Sequence, residues 1–237
     1  AARRSSGTWE LNCELVVDDN EEFPKVAREA IAGGSAPDVP CGLFEESKYP
    51  YLLNLKVQGR KRSPLATASL LHDINSGVDT LSYFGHGGPN LWSHERLLHL
   101  MDLPLIRNTP RLPLVTCASC DNAWLDYPVP PVHRSMGELL VTKADGGAVG
   151  VFAPVAGASP YEHVTLVSKV LESVYRANVR RIGDVTLRAK NLYFAITSSP
   201  SIPDHYVLVG DPAFSLSMPA TTMSRRRPSR FAEPRKQ

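Results

Sequence analysis

Two short segments carry side chains able to do covalent chemistry. The first, Leu81-Ser82-Tyr83-Phe84-Gly85-His86-Gly87-Gly88, runs an apolar stretch into one imidazole set among glycines. Glycine costs backbone entropy on folding, so three of them around one histidine imply a main chain that something must approach closely. The second, Leu112-Pro113-Leu114-Val115-Thr116, delivers Cys117-Ala118-Ser119-Cys120-Asp121-Asn122. A thiol beside an imidazole can exist as thiolate, the nucleophilic form, and the same imidazole can then protonate a leaving amine. His86 and Cys120 are therefore the candidate pair, and the main-chain amides of Gly87 and Cys120 are candidate donors to a developing oxyanion. The same residues allow other readings. Gly85-His86-Gly87-Gly88 can be a tight turn with an incidental histidine. Cys117-x-x-Cys120 is also a spacing for thiol redox exchange or for zinc, although a structural zinc wants four ligands, the chain has no second such pair, and adding His133 leaves the set incomplete. Cys117, nearer the strand, reads as a partly buried structural thiol.

These residues need elements to position them. Apolar runs with β-branched residues alternate with stretches of helical period, the pattern of a parallel sheet covered by helices. Strands are predicted at 11–17, 51–57, 80–84, 112–116, 148–153 and 205–209. Helices are predicted at 22–32, 64–75, 93–101, 135–144, 161–177 and 183–195, the second opened by Ser63 as cap with Pro64 at its first position. In an open α/β sheet the loops beyond the carboxyl ends of the strands converge, while strand interiors are sealed in core. The polar clusters after the predicted strands are Asp18-Asp19, Gly85 to Gly88, Cys117 to Asn122, Pro154 to Ser159 and Gly210-Asp211-Pro212. Both chemical segments are among them. Asp211-Pro212 reads as a turn whose carboxylate could buttress the site.

Composition limits the rest. A chain of 237 residues, 43% apolar, suffices for one sizeable core. It holds no apolar run of about 18 residues and no secretory h-region at its start, which predicts no membrane insertion. The net charge of +2 divides into +5 on residues 224–237 and −3 on the remainder. The expected organisation is an extension at 1–9, a single domain at 10–219 and a basic, disordered tail at 220–237. Nothing interleaves aromatic with basic residues as single-strand binders do, so no nucleic-acid partner is expected. Four cysteines are too few for a disulfide framework, and Cys13 and Cys41 are expected as packed or idle thiols. Of the other histidines, His94 and His99 are expected on an exposed helix, and His72, His133, His163 and His205 as solvated or capping residues. Trp92 is expected in the core or at a cleft rim.

Four segments together resemble the gingipain-type (C25) cysteine peptidases of the caspase-like clan. They are Tyr83-Phe84-Gly85-His86-Gly87-Gly88 followed by Trp92-Ser93; Arg111-Leu112-Pro113-Leu114-Val115 leading to Cys120; Gly146-Gly147-Ala148-Val149 after Ser135-Met136-Gly137-Glu138-Leu139-Leu140; and Val207-Leu208-Val209-Gly210-Asp211-Pro212. The resemblance spans roughly residues 10 to 218. It implies a caspase-like three-layer α/β sandwich with a mostly parallel central sheet of about six strands. It also implies a thiol endopeptidase acting on polypeptide substrates, with His86 as general base and acid, Cys120 as nucleophile, and no metal or other cofactor. Asp121-Asn122 and Trp124 after Cys120 match the polar pair and aromatic that follow the family nucleophile. The family's third member, an acid after the first strand, has approximate counterparts in Asp18 and Asp19, of which Asp19 is taken. Basic-specific relatives draw a carboxylate for the S1 pocket from the start of the first helix, where Glu21 and Glu22 stand. Glu22 is the candidate selector of Arg or Lys, against the plainer reading of an acid favoured by the helix dipole. The loop from Val155 to Tyr161 is the other expected S1 wall. The separation of 34 residues between His86 and Cys120 is shorter than the roughly 50 of true caspases, whose Gln-Ala-Cys-x-Gly signature is absent, which points to the gingipain branch. The family's preceding half-domain and following immunoglobulin-like domain have no counterpart here, so a fragment of a longer precursor, a minimal relative, or a regulatory module without turnover are all allowed. Family resemblance suggests a secreted or cell-surface location, and composition leaves the cytoplasm open.

Overall fold

The structure is a computed structural model describing residues 12–34, 41–57, 60–126, 134–157 and 159–216. The expected extension 1–9, the tail 220–237 and His133 lie outside the described residues. In chain order the strands are β1 (Cys13–Val17), β2 (Cys41–Glu45), β3 (Leu52–Val57), β4 (Arg60–Arg62), β5 (Thr80–Phe84), β6 (Gly87–Gly88), β7 (Leu91–Trp92), β8 (Leu98–His99), β9 (Leu114–Ala118), β10 (Gly150–Pro154) and β11 (Tyr206–Gly210). The helices are α1 (Glu22–Gly34), α2 (Pro64–Ser76), α3 (Met136–Thr142), α4 (Pro160–Leu171), α5 (Ile182–Thr197) and α6 (Ser201–His205).

Six strands form one sheet in the order β11-β10-β9-β5-β1-β2, parallel throughout except for β11. Side chains alternate across it, as the pleat requires. Leu15, Val17, Phe84, Leu114 and Phe152 pack against α1, α4 and α5, while Val16, Leu81, Tyr83, Val115 and Val151 pack against α2 and α3. The result is the expected three-layer sandwich with a mostly parallel sheet. Its near-continuous apolar strands read as they do because both faces are covered. Within the core Thr116 donates to Ser82 at 2.7 Å, so both hydroxyls are satisfied between adjacent strands. Near the amino end of the sheet Arg111 makes a bidentate pair with Asp79, at 3.2 and 2.6 Å, and the Asn12 amide adds a third bond at 2.9 Å.

Several expectations need correction. The run at 51–57 does form a strand, but it pairs with β4 in a separate two-stranded sheet; the sixth strand of the central sheet is β2. That segment, Cys41-Gly42-Leu43-Phe44-Glu45, is an edge strand with three half-exposed residues and a glycine, so its apolar signal is weak. Cys13 and Cys41, expected as idle thiols, are directly opposite in the β1–β2 register and form a disulfide. No helix forms at 93–101. Ser93 and Arg96 take positive φ values of 61° and 59°, which interrupt any helix, and tertiary contacts that bury Leu97 and Leu98 override a local helical period. The segment instead turns from β7 into β8, the third strand of a small sheet with β6 and β7, and then enters a 3-10 turn at Leu100–Leu105 that His99 caps. The helix expected through Ala177 ends at Leu171 and continues as a single π turn, Glu172–Arg176. His163, expected as solvated, is buried and shares a 2.7 Å hydrogen bond with the Tyr206 hydroxyl.

Candidate active site

The chain turns back in the middle of its sheet. From β1 it crosses over α1 to β2, then returns over α2 on the opposite face to β5 and proceeds outward through β9 and β10. The switch point therefore lies between β1 and β5, and their carboxyl ends open the crevice where α/β folds bind ligands. Asp18 and His86 stand on its two sides.

Register places the expected pair. Phe84 is opposite Ala118 in the parallel β5–β9 ladder, so His86 and Cys120 each lie two residues beyond the same rung. The two loops touch: a Cβ on Gly87 would lie 2.9 Å from the Ser119 Cβ and 3.0 Å from the Cys120 carbonyl oxygen, so only glycine allows this approach. The thiol faces the loop after β10, where a Cβ on Gly157 would lie 3.2 Å from Sγ. Cys120 is half-buried, whereas Cys117 is sealed inside β9, and burial pushes the Cys117 thiol far up. After Cys120 the chain makes turns rather than a helix, so the pair is not the helix-start dithiol of redox enzymes. Among the described residues no three His, Cys, Asp or Glu side chains converge as a metal would require.

The His86 backbone is held firmly. Its amide donates to Asp18 Oδ2 at 2.8 Å, and its carbonyl accepts from the Tyr83 hydroxyl at 2.6 Å and the Ser93 amide at 2.8 Å. Tyr83 is wholly buried and stacks on Trp92 with centroids 4.6 Å apart. The imidazole packs between aromatics: His94 stacks on it at 4.2 Å and 11°, and Phe23 meets it edge-on at 5.5 Å and 87°.

Asp18 is fully buried, and its second oxygen accepts from the Asn20 amide at 2.8 Å. Burial pushes its carboxyl up, opposed by those amide bonds and by the imidazole's charge. Asp19, the acid taken from sequence, is half-buried, and its charge reaches Tyr51 and Glu46. Glu22 is exposed in the first turn of α1, immediately before the Phe23 that touches His86. Val155 is half-buried, with its amide on the His205 carbonyl at 2.8 Å, and Tyr161 is exposed in the first turn of α4. Asp211 is exposed and caps a turn through the Ala213 amide, away from the site.

Three residues gain roles that sequence reading did not give them. Asn122 is buried, donates to the Gly88 carbonyl at 2.6 Å and the Leu91 carbonyl at 3.2 Å, and accepts from the Ser119 hydroxyl, tying the cysteine loop to the histidine loop. Its signal was present as a polar residue two places after a candidate nucleophile. His94 and Glu46 were legible only in three dimensions. Glu46 is 1% exposed, and neither carboxylate oxygen has a hydrogen-bond partner among the described residues. Burial first, and the charges of Asp18, Asp19 and Glu95, push its carboxyl up to about 8, with Ser93 opposing.

Residues 2–217 match the model of peptidase family C25. No curated protein matches the chain. Among solved structures the fold is similar to the Arg-specific cysteine proteinase gingipain R (RgpB), with a TM-score of 0.64 and 13% identity over 88% of this chain and 48% of that one. It is similar also to the complex of Porphyromonas gingivalis RgpB pro- and mature domains, with a TM-score of 0.61 and 14% identity over 87% and 49%. Caspase-1 from Spodoptera frugiperda matches at a TM-score of 0.45 and 9% identity over 89% and 94%. This chain spans about half the length of the gingipain structures it matches.

Proposed function

The chain belongs to peptidase family C25, a family of cysteine peptidases, and we propose that it is the catalytic core of an endopeptidase in which His86 and Cys120 do the chemistry. The observation that supports this reading is the shared rung of β5 and β9, beyond which His86 and Cys120 each follow two residues later on adjacent strands. His86 takes the thiol proton, and Sγ attacks the peptide carbonyl carbon. The oxyanion is received by the amides of Gly87 and Cys120. The C–N bond then breaks as the imidazolium gives its proton to the departing amine, leaving a thioester that water, deprotonated by His86, hydrolyses. The acid associated with His86 is Asp18, acting through the main chain, rather than Asp19.

Gly157 against Sγ marks where the residue before the scissile bond passes, with Val155 and Tyr161 as one wall of that subsite. Glu21 just before α1 and Glu22 in its first turn supply a field favouring Arg or Lys there; gingipain R is described as Arg-specific. Glu22 is exposed, so its contribution is steering rather than a buried ion pair.

A peptidyl chloromethyl ketone bearing Arg or Lys separates the readings. Stoichiometric alkylation of Cys120 that vanishes in His86→Ala, with loss of peptide cleavage in Cys120→Ala and its retention in Cys117→Ala, is the expected result. Alkylation indifferent to His86 identifies a merely reactive thiol and a binding module; equal loss in both cysteine variants favours a paired-thiol function.

A further inference from the structure

A histidine that must meet a thiol needs its ring plane fixed, because rotation about its second side-chain bond is soft. In Ser-His-Asp sites a carboxylate on the imidazole Nδ1 does this. Here the hydrogen bonds of Asp18 run to the main chain: its two oxygens accept the amides of Asn20 and His86. What touches the ring is aromatic, Phe23 on its edge and His94 on its face.

The chain goes to some length to place that second ring. Ser93, a fully buried non-glycine residue, sits at φ 61°, and Arg96 three residues later at 59°. Left-handed backbone in such residues persists only where surroundings over-determine it, and it clusters where a side chain must be aimed. The turn is fastened from three directions: the Ser93 amide meets the His86 carbonyl and the Tyr83 hydroxyl, the Ser93 hydroxyl meets Glu95 Oε2 at 3.0 Å, and the Arg96 amide returns to the Ser93 carbonyl at 3.1 Å. His94 is carried on this turn and laid flat against His86.

We propose that His94 is a positioning residue for the peptidase reaction: its ring, stacked face to face on His86 and opposed by the edge of Phe23, holds the imidazole in the plane from which it can reach Cys120. The proposal rests on the reading of His86 as general base. Stacking needs a flat ring and not a second titrating group, so phenylalanine should replace His94 and alanine should not.

Steady-state cleavage of a fluorogenic peptide is the kinetic test. His94→Ala should lower kcat at least tenfold with KM within twofold, and His94→Phe should stay within threefold of the parent. Full kcat in His94→Ala, or equal impairment in both variants, overturns the proposal. A second measurement does not depend on turnover. In Cys120→Ala protein, the ring protons of His86 should show a ring-current shift by NMR that His94→Ala removes and His94→Phe keeps. A His86 spectrum indifferent to His94→Ala overturns the stacking role even if no peptide is cleaved. An intact shift in a parent chain that neither cleaves nor alkylates sinks the peptidase reading alone.

Discussion

Asn122 shows how much a single side chain can hold together. It is buried between two loops, bonding carbonyls 34 and 31 residues back in the chain, and it uses both ends of its amide: the NH2 reaches carbonyls of the histidine loop, the oxygen takes the Ser119 hydroxyl. Removing it takes a side-chain donor from two part-buried carbonyls and the acceptor from the buried Ser119 hydroxyl, which costs about 1–3 kcal/mol per group left unpaired. Asn122→Ala is therefore expected to lower unfolding stability by about 2–4 kcal/mol and to slow peptide cleavage, because Gly88 and Cys120 lose their common tie. Asn122→Asp is the sharper probe. It keeps size and the acceptor but cannot donate to Gly88 and Leu91, so it should fail nearly as badly; an aspartate variant with the parent's denaturation midpoint and kcat removes the clamp from the account.

Elements carry the next level, and here sequence and structure part company in an instructive way. The inner strands β1, β5, β9 and β10, the antiparallel edge strand β11 and the loops bearing His86 and Cys120 were readable, because buried parallel strands are apolar runs, β11 keeps the apolar run Tyr206-Val207-Leu208-Val209, and the carboxyl ends of parallel strands are fixed by the fold type. The edge strand β2 was not, since half-exposed edge residues and a glycine erase the apolar signal. Nor was the β7–β8 turn, whose left-handed Ser93 answers to Tyr83 and His86 rather than to its own neighbours. Asp18 and Asp19 could not be ranked from sequence by burial, because adjacent acids look alike until one is buried. β2 is secured by its five-residue ladder with β1, by the Cys13–Cys41 disulfide, and by Arg28 at 3.2 Å and Lys48 at 2.6 Å on Glu45. Cross-linking positions 28 residues apart should stabilise the fold by about 3 kcal/mol through the unfolded chain. Reductant is expected to lower the melting temperature by about 10 °C, and the Cys13→Ala/Cys41→Ala variant should melt at the reduced value with or without reductant. A melting temperature of the parent chain unaffected by complete reduction would show that β2 is held by its ladder alone.

Across the whole molecule, buried acids make stability depend on pH in an unusual direction. Glu46 is pushed up to about 8, and Glu14, mainly by burial and then by Asp73, to about 7. Asp18 and Asp73 move the same way, burial leading in each. Unfolded glutamates release their protons near pH 4.5, while Glu14 and Glu46 keep theirs in the folded chain until about pH 7 and 8. Between those limits the unfolded state binds fewer protons, so stability falls as pH rises, the reverse of a protein whose carboxylates are salt-bridged. The contribution is fully present below about pH 4.5 and gone above about pH 8. Glu46 dominates because it is sealed from water and neither oxygen has a hydrogen-bond partner among the described residues. Glu46→Gln keeps the shape and removes the proton equilibrium. It should match the parent within about 1 kcal/mol at pH 5 and exceed it at pH 8.5 by on the order of 3 kcal/mol, since each tenfold change in proton affinity on folding is worth about 1.4 kcal/mol and relaxation will absorb part of it. Urea denaturation at the two pH values reads this directly. Parallel pH dependence in parent and variant would mean that Glu46 titrates as a solvated acid, and the falling stability would then have to be carried by Glu14 and Asp18.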